Sequence, residues 1–266
     1  LHTLLKQIKS IRSMNPAGSF STFRISAAGS HSSVFQRIKE ELAAETSLQY
    51  NEEEADLLLR IRKSETHPTG WDVVTRITPR PLSARAWRVC DMLGALNATI
   101  AQAMVTMSQP KPDDRVLNLM CGSGTLLIER LRHSPAAAIG GCDTEMMALR
   151  CAEKNIEASG FTPQIDLFDM DATRLELPDD CIDVVFADLP WGQLIGSHES
   201  NQVLYPRVLR EAARVTVSGG RGLFITHEIR LIEQVLEQLS DQWRVKASTR
   251  VFQGGLHPRI YELERL

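Results

Sequence analysis

The 266-residue sequence has no apolar run approaching the roughly 18 residues that a membrane-spanning helix needs. Its opening stretch, LHTLLKQIKSIRS, lacks the apolar core and the cleavage site of a secretory leader. The five cysteines, at 90, 121, 142, 151 and 181, include no CxxC pair. An odd number of thiols, several in apolar surroundings, predicts free buried cysteines and a cytoplasmic protein. The seven histidines are scattered without ligand spacing, so no metal site is expected. Neither is there an extreme of charge: the net value is −3, which taken alone argues against a nucleic-acid binder. With 43% hydrophobic and 24% charged residues, the composition excludes a mainly disordered, collagenous or coiled-coil chain.

The average hides a division. Residues 1–90 carry 13 basic and 9 acidic side chains, whereas residues 91–266 carry 17 and 24. A mildly basic front on an acidic body suggests two modules with different partners.

The pattern of apolar residues supports that division. In the front, FSTFRISA (20–27) alternates as a strand does, and HSSVFQRIKEELAAE (31–45) spaces Val34, Ile38 and Leu42 as one face of a helix capped by Ser32 or Ser33. Two more strands are expected at 55–62 and 71–77. Pro79, Arg80, Pro81 and Leu82 interrupt regular structure, so the front module is expected over 1–78, a linker over 79–96 and the second domain over 97–266.

From residue 97 strands and helices alternate. Strands are expected at 115–120, 137–143, 163–169, 182–188 and 221–227, and helices at 97–108, 124–132, 145–158, 203–216 and 229–239. Two closing strands, WRVKASTRVF and RIYELERL, have no helix between them and should pair antiparallel. The expected fold is therefore α/β: a doubly wound, mostly parallel sheet with one reversed strand, preceded by a small α+β module. Ligands of such sheets bind beyond the carboxyl ends of the strands. Cys121-Gly122-Ser123-Gly124-Thr125, Asp143, the Asp171-Ala172-Thr173 segment and Asp188-Leu189-Pro190-Trp191-Gly192 all fall on that rim.

Each of these has a chemistry. The glycine turn lets a ligand approach the backbone, and the helix after it offers free N–H groups. A dinucleotide fingerprint would need a third glycine where Leu127 stands, and no Walker lysine follows, so neither a nicotinamide cofactor nor a nucleoside triphosphate fits. Asp143 ends the second strand, where a carboxylate can accept both ribose hydroxyls, although it could equally cap the next helix. Asp171 stands where it can reach the amine of an adenine. An adenosine held without phosphate contacts fits S-adenosylmethionine. Met146 and Met147 either pack on that adenine or join the core.

The turn Asp188-Leu189-Pro190-Trp191-Gly192 is the most specific feature. An exocyclic purine amine is a poor nucleophile because its lone pair is conjugated with the ring. Two acceptors on its hydrogens, the Asp188 carboxylate and a backbone carbonyl near Leu189–Pro190, would aim that lone pair at a methyl donor. Proline fixes the turn, and Trp191 offers a flat surface for the base. The alternative is a turn whose tryptophan only plugs the end of the sheet.

The segments RVLNLMCGSGTLLIER, GGCD, DMDATRLELP and VVFADLPWG resemble the motifs of class I S-adenosylmethionine-dependent methyltransferases that act on amino groups. The sequence is most similar to the THUMP-containing RNA guanine-N2 methyltransferases, and the likeness spans roughly residues 20–266. The resemblance implies a seven-stranded Rossmann-like domain, S-adenosyl-L-methionine as cofactor, and structured RNA, tRNA first, as partner of a monomeric enzyme. It implies a THUMP-like RNA-binding front, shorter here than the whole module, so that either a preceding piece is missing or this branch has a reduced arm. Residues expected at the cofactor are Asn118, Cys121, Gly122, Ser123, Gly124, Thr125, Asp143, Asp171, Ala172 and Asp188. Asn118 stands where the family carries an acid, and keeps an acceptor without the charge. Catalysis is expected from Asp188, Pro190 and Trp191, and substrate contacts from Leu189, Trp191, Gly192, Arg80, Arg85 and Arg88. Ribosomal RNA guanine, adenine N6, or an inactive RNA-binding subunit remain as alternatives.

Overall fold

Among the described residues, apolar side chains fall where strand and helix periodicity put them, in three clusters: one in the first unit and one on each face of the large sheet. The computed structural model describes residues 2–193 and 195–266. They divide into one unit ending at Ala84 and another running from Arg85 to Leu266.

The first unit comprises α1 (His2–Ser13), β1 (Thr22–Ser26), α2 (Ser33–Thr46), β2 (Gln49–Tyr50), β3 (Leu57–Lys63) and β4 (Trp71–Thr75). Its sheet has the order β2-β1-β3-β4, with β1 parallel to β2 and β3, and β4 antiparallel to β3. Alternation in β1 and β3 sends Phe23, Ile25, Leu57 and Leu59 inward, where Ile8, Ile11 and Leu42 of the two helices meet them. The expected strands and helix are present, with ends shifted by one or two residues. The two-residue β2 went unpredicted, since so short a segment carries no alternation.

The second unit runs α3 (Ala98–Met107), β5 (Arg115–Leu119), α4 (Thr125–His133), β6 (Ala138–Asp143), α5 (Met146–Ser159), β7 (Asp166–Asp169), β8 (Ile182–Asp188), α6 (His198–Val215), β9 (Thr216–Thr226), α7 (Ile229–Gln238), β10 (Trp243–Arg250) and β11 (Arg259–Arg265). The sheet order is β10-β11-β9-β8-β5-β6-β7, parallel except that β11 runs against both neighbours. The doubly wound sheet with a reversed strand is thus as expected. Central strands are apolar on both faces because both are covered. Val116, Val184 and Phe186 face α3, α4 and α5, whereas Leu117, Val185 and Ala187 face α6 and α7.

Three expectations need correction. Residues 85–96, read as linker, fold with the second unit, and Trp87 is buried in the core beneath α3–α5. The sixth helix begins at His198 rather than 203, because Ser197 and Ser200 form a reciprocal capping box. Two of the cysteines are not free: Cys90 and Cys151 are joined in a disulfide, with their Cα atoms 5.4 Å apart. Asn155 brings them together, accepting from the N–H groups of Val89 and Cys90 and donating to the carbonyl of Cys90. The cytoplasmic reading thereby loses the all-thiol argument. Among the described residues no helix is long and apolar enough to cross a membrane.

Candidate active site

The carboxyl ends of β5, β6, β7 and β8 open into one cavity of about 440 Å³. Its wall includes Asn118, Cys121, Gly122, Ser123, Thr125, Asp143, Asp171, Ala172, Asp188, Leu189, Pro190 and Trp191. Most of the residues singled out in the sequence therefore meet in one place.

Gly124 starts α4 with φ +77°, and a Cβ there would stand 3.2 Å from the Cβ of Ala152 on α5. Glycine is thus required by both backbone and packing. Asp143 ties this turn to the next element: one carboxylate oxygen accepts from the Gly122 N–H at 2.9 Å, the other from the Glu145 N–H at 3.0 Å. Both oxygens keep a lone pair for a ligand hydroxyl. Asp171 is exposed and accepts from the Thr173 N–H through Oδ1 at 2.8 Å. Asn118 is buried, and its amide donates to the carbonyls of Leu119 and Phe186 at 3.1 and 3.2 Å. Its Oδ1 has no partner among the described residues. A buried acceptor left open in a cavity wall fits a ligand that brings its own donor, such as an amino acid ammonium. Two carboxylates, an open amide oxygen and a glycine turn together suit an adenosine with a cationic amino acid tail. Burial pushes the Cys121 thiol well up and that of Cys142 to about 11, so both stay protonated and neither is a nucleophile.

At the end of β8, Asp188 receives one side-chain hydrogen bond, from the Trp191 indole N–H at 3.0 Å. Desolvation at the cavity floor pushes its carboxyl up to about 7, against the smaller opposing effect of that bond. Trp191 is half-buried, with its ring centroid 6.3 Å from that of His227. The next carbonyls divide unequally. Pro190 O accepts from Asn201 Nδ2 at 2.8 Å and from the Tyr205 hydroxyl at 2.6 Å. Leu189 donates its N–H to the Ile225 carbonyl, and its own carbonyl accepts no hydrogen bond from the described residues. The second acceptor, which the sequence located only near Leu189–Pro190, is thereby narrowed to Leu189. Gly192 turns with φ +72°, and a Cβ there would lie 2.4 Å from Glu228 Oε1. It does not line the cavity.

The arginines behave differently from expectation. Arg85 pairs at 2.6 Å with Glu129, whose side chain is only 2% exposed. Arg88 donates to the carbonyl of Leu96 and the hydroxyl of Thr125 at 2.9 and 2.8 Å. Both guanidinium groups are thus engaged inside the second unit. Arg80 belongs to the first unit, where it is exposed and 3.3 Å from Glu54. Met146 and Met147 are exposed and outside the cavity wall, so neither contacts its contents nor joins the core.

Several wall residues went unseen in the sequence. Met92–Leu96, Met120 and Met170 line the cavity, and Gln253, Gly254 and Leu256 reach it from the β10–β11 hairpin. Asn201 and Tyr205 had a readable signal: two polar residues one turn apart on a face continued by Val208, Leu209 and Ala212.

A sheet of this order and direction, with acceptors gathered at its strand ends, defines the class I methyltransferase fold. The chain belongs to the RMKL-like methyltransferase domain family, whose profile matches residues 85–259. A mouse protein named tRNA (guanine(6)-N(2))-methyltransferase THUMP3 is 32% identical over 183 residues, covering 64% of this chain and 36% of that one. The tRNA (guanine(6)-N2)-methyltransferase of Thermus thermophilus is 30% identical over 192 residues, covering 72% of this chain and 56% of its own. The chain thus spans about a third to a half of these relatives. The crystal structure of TrmN from Thermus thermophilus superposes with a TM-score of 0.72 at 24% identity, covering 98% of this chain and 78% of that one.

Proposed function

We propose that the second unit transfers a methyl group from S-adenosylmethionine to the exocyclic N2 amine of a guanine in RNA, tRNA first. The first unit is read as a THUMP-like RNA-binding module. The observation that carries the proposal is the juxtaposition of Asp188 with the Leu189 carbonyl, which no described residue engages, in a cavity whose other wall suits an adenosine cofactor. The relatives' names support guanine N2 as the target and tRNA as the substrate class.

Asp143 and Asp171 would hold the ribose and adenine, and Asn118 Oδ1 the ammonium of the methionine end. S-adenosylmethionine held there would supply an electrophilic methyl group, the N–C bond forming as the S–C bond broke and leaving adenosylhomocysteine and one proton. Asp188 accepts one hydrogen of the amine and the Leu189 carbonyl the other. Held this way, the nitrogen lone pair points out of conjugation and along the line of transfer. Asp188 then takes the departing proton, a role suited to a carboxyl group that titrates near 7. Trp191 orients Asp188 through its N–H and gives the base a surface worth about 1–3 kcal/mol in stacking. A paired guanine keeps N2 inside the helix, so the target nucleotide must be unpaired or turned out.

The test is transfer of label from methyl-labelled S-adenosylmethionine into unmodified tRNA. Wild type is expected to transfer and Asp188→Ala to lose transfer while still binding cofactor in a calorimeter. Undiminished transfer by folded Asp188→Ala would overturn the assignment.

A further inference from the structure

The cavity has two ends. In the order β10-β11-β9-β8-β5-β6-β7, the adenosine-facing residues Asp143 and Asp171 follow β6 and β7, on one side of β8. The β10–β11 hairpin belongs to the other side of β8, yet its tip lines the same cavity through Gln253, Gly254 and Leu256. Asp188, at the end of β8, lies between these two contributions. The hairpin tip therefore borders the end that a cofactor does not claim.

The tip is held in place. Gln253 and Leu256 exchange backbone hydrogen bonds of 3.0 and 2.9 Å across Gly254 and Gly255. The Gln253 side chain is half-buried, and its Oε1 accepts from the backbone N–H of Asn97 at 3.1 Å. Asn97 is itself fixed as the cap of α3, its side chain accepting from the Thr99 N–H. An amide has one acceptor atom, and here a backbone donor occupies it, which decides which way the group is turned. Among the described residues the Nε2 hydrogens have no partner. A pinned, donor-only group at the substrate end of a cavity calls for an acceptor on the ligand.

Resting on the guanine-N2 reading above, the geometry points to Gln253 as the residue that recognises the target base, its Nε2 donating to O6 of the guanine. With N2 directed at Asp188 and Leu189, O6 is the acceptor further along the same edge of the ring. An adenine offering N6 to Asp188 and Leu189 would place its C2–H at that position, and the Nε2 hydrogens would meet no acceptor. Gln253 thus supplies the discrimination that two acceptors around a conjugated amine cannot.

The probe is 2-aminopurine, which keeps the 2-amine and lacks O6. After the wild-type product is mapped, the RNA is made with guanine or with 2-aminopurine at the methylated position, and kcat/KM is measured for both. Wild type is expected to prefer guanine by about tenfold or more, because the 2-aminopurine complex leaves the amide unpaired. Gln253→Leu should slow guanine by about tenfold, leave 2-aminopurine within about a factor of three, and leave cofactor affinity unchanged. The preference is a ratio within one protein, so a partly unfolded variant does not blur it. An unchanged preference in Gln253→Leu, with wild type active on guanine, overturns the role of Gln253 alone. A wild type that methylates no guanine overturns the reading beneath it as well.

Discussion

Replacing Asp188 by asparagine should stabilise the protein while disabling it. The folded protein holds this carboxyl at about 7, against an ordinary 3.8. At about 1.4 kcal/mol per pH unit, that gap is worth up to about 4 kcal/mol. Below pH 3.8 the proton is bound in both folded and unfolded chains, and the group costs nothing. As pH rises from there towards 7, the unfolded chain releases its proton and the folded chain keeps it, so wild type loses stability across that window. Above 7 the loss is complete. Asparagine stays neutral throughout, and its side-chain oxygen can still accept the Trp191 N–H. The stability difference between Asp188→Asn and wild type should therefore widen between pH 4 and pH 8 by up to about 4 kcal/mol. Urea unfolding of both proteins over that range measures it, and other titrating groups cancel in the difference. Activity should move the opposite way, with wild-type kcat/KM rising through an apparent pKa near 7 and the variant reduced about 10²–10⁴-fold. A stability difference that stays flat with pH would refute the desolvated carboxyl at the cavity floor.

Tyr205→Phe removes a buried hydroxyl that spans Pro190 O and Thr226, and should cost about 1–2 kcal/mol in stability. Its kcat should fall several-fold at unchanged cofactor affinity, measured by steady-state kinetics beside calorimetry. Arg85→Ala strands the buried Glu129 carboxylate and should cost about 3–5 kcal/mol in denaturant unfolding, with RNA affinity of the folded fraction unaffected. Reduction of the protein, or the double change Cys90→Ser and Cys151→Ser, opens a loop of 61 residues and should cost about 4 kcal/mol, seen as a lowered Tm. Asn118→Leu removes the open acceptor and should weaken cofactor binding about tenfold in a calorimetric titration.

The sheet was legible because a strand covered on both faces is a short apolar run, as in Val184, Val185, Phe186 and Ala187, and because the residues closing such runs mark one rim. Asp143, Asp171 and Asp188 were found that way. What escaped depends on three-dimensional competition for partners. Whether Leu189 or Pro190 offers its carbonyl is decided by Asn201 and Tyr205, 11 and 15 residues beyond Pro190 on another element. Arg85 and Arg88 look like surface cations in a basic stretch, but Glu129 and Thr125 take them inward once the 85–96 segment packs. The pairing of Cys90 with Cys151 and the arrival of Gln253 at the cavity are equally long-range, and neither leaves a local pattern.

The central claim is the chemistry at the Asp188–Leu189 turn, and the product reports on it most directly. Unmodified tRNA incubated with the protein and methyl-labelled S-adenosylmethionine, then digested to nucleosides, should yield label in N2-methylguanosine. Label in N6-methyladenosine, or none in any nucleoside while the protein binds cofactor, would contradict it.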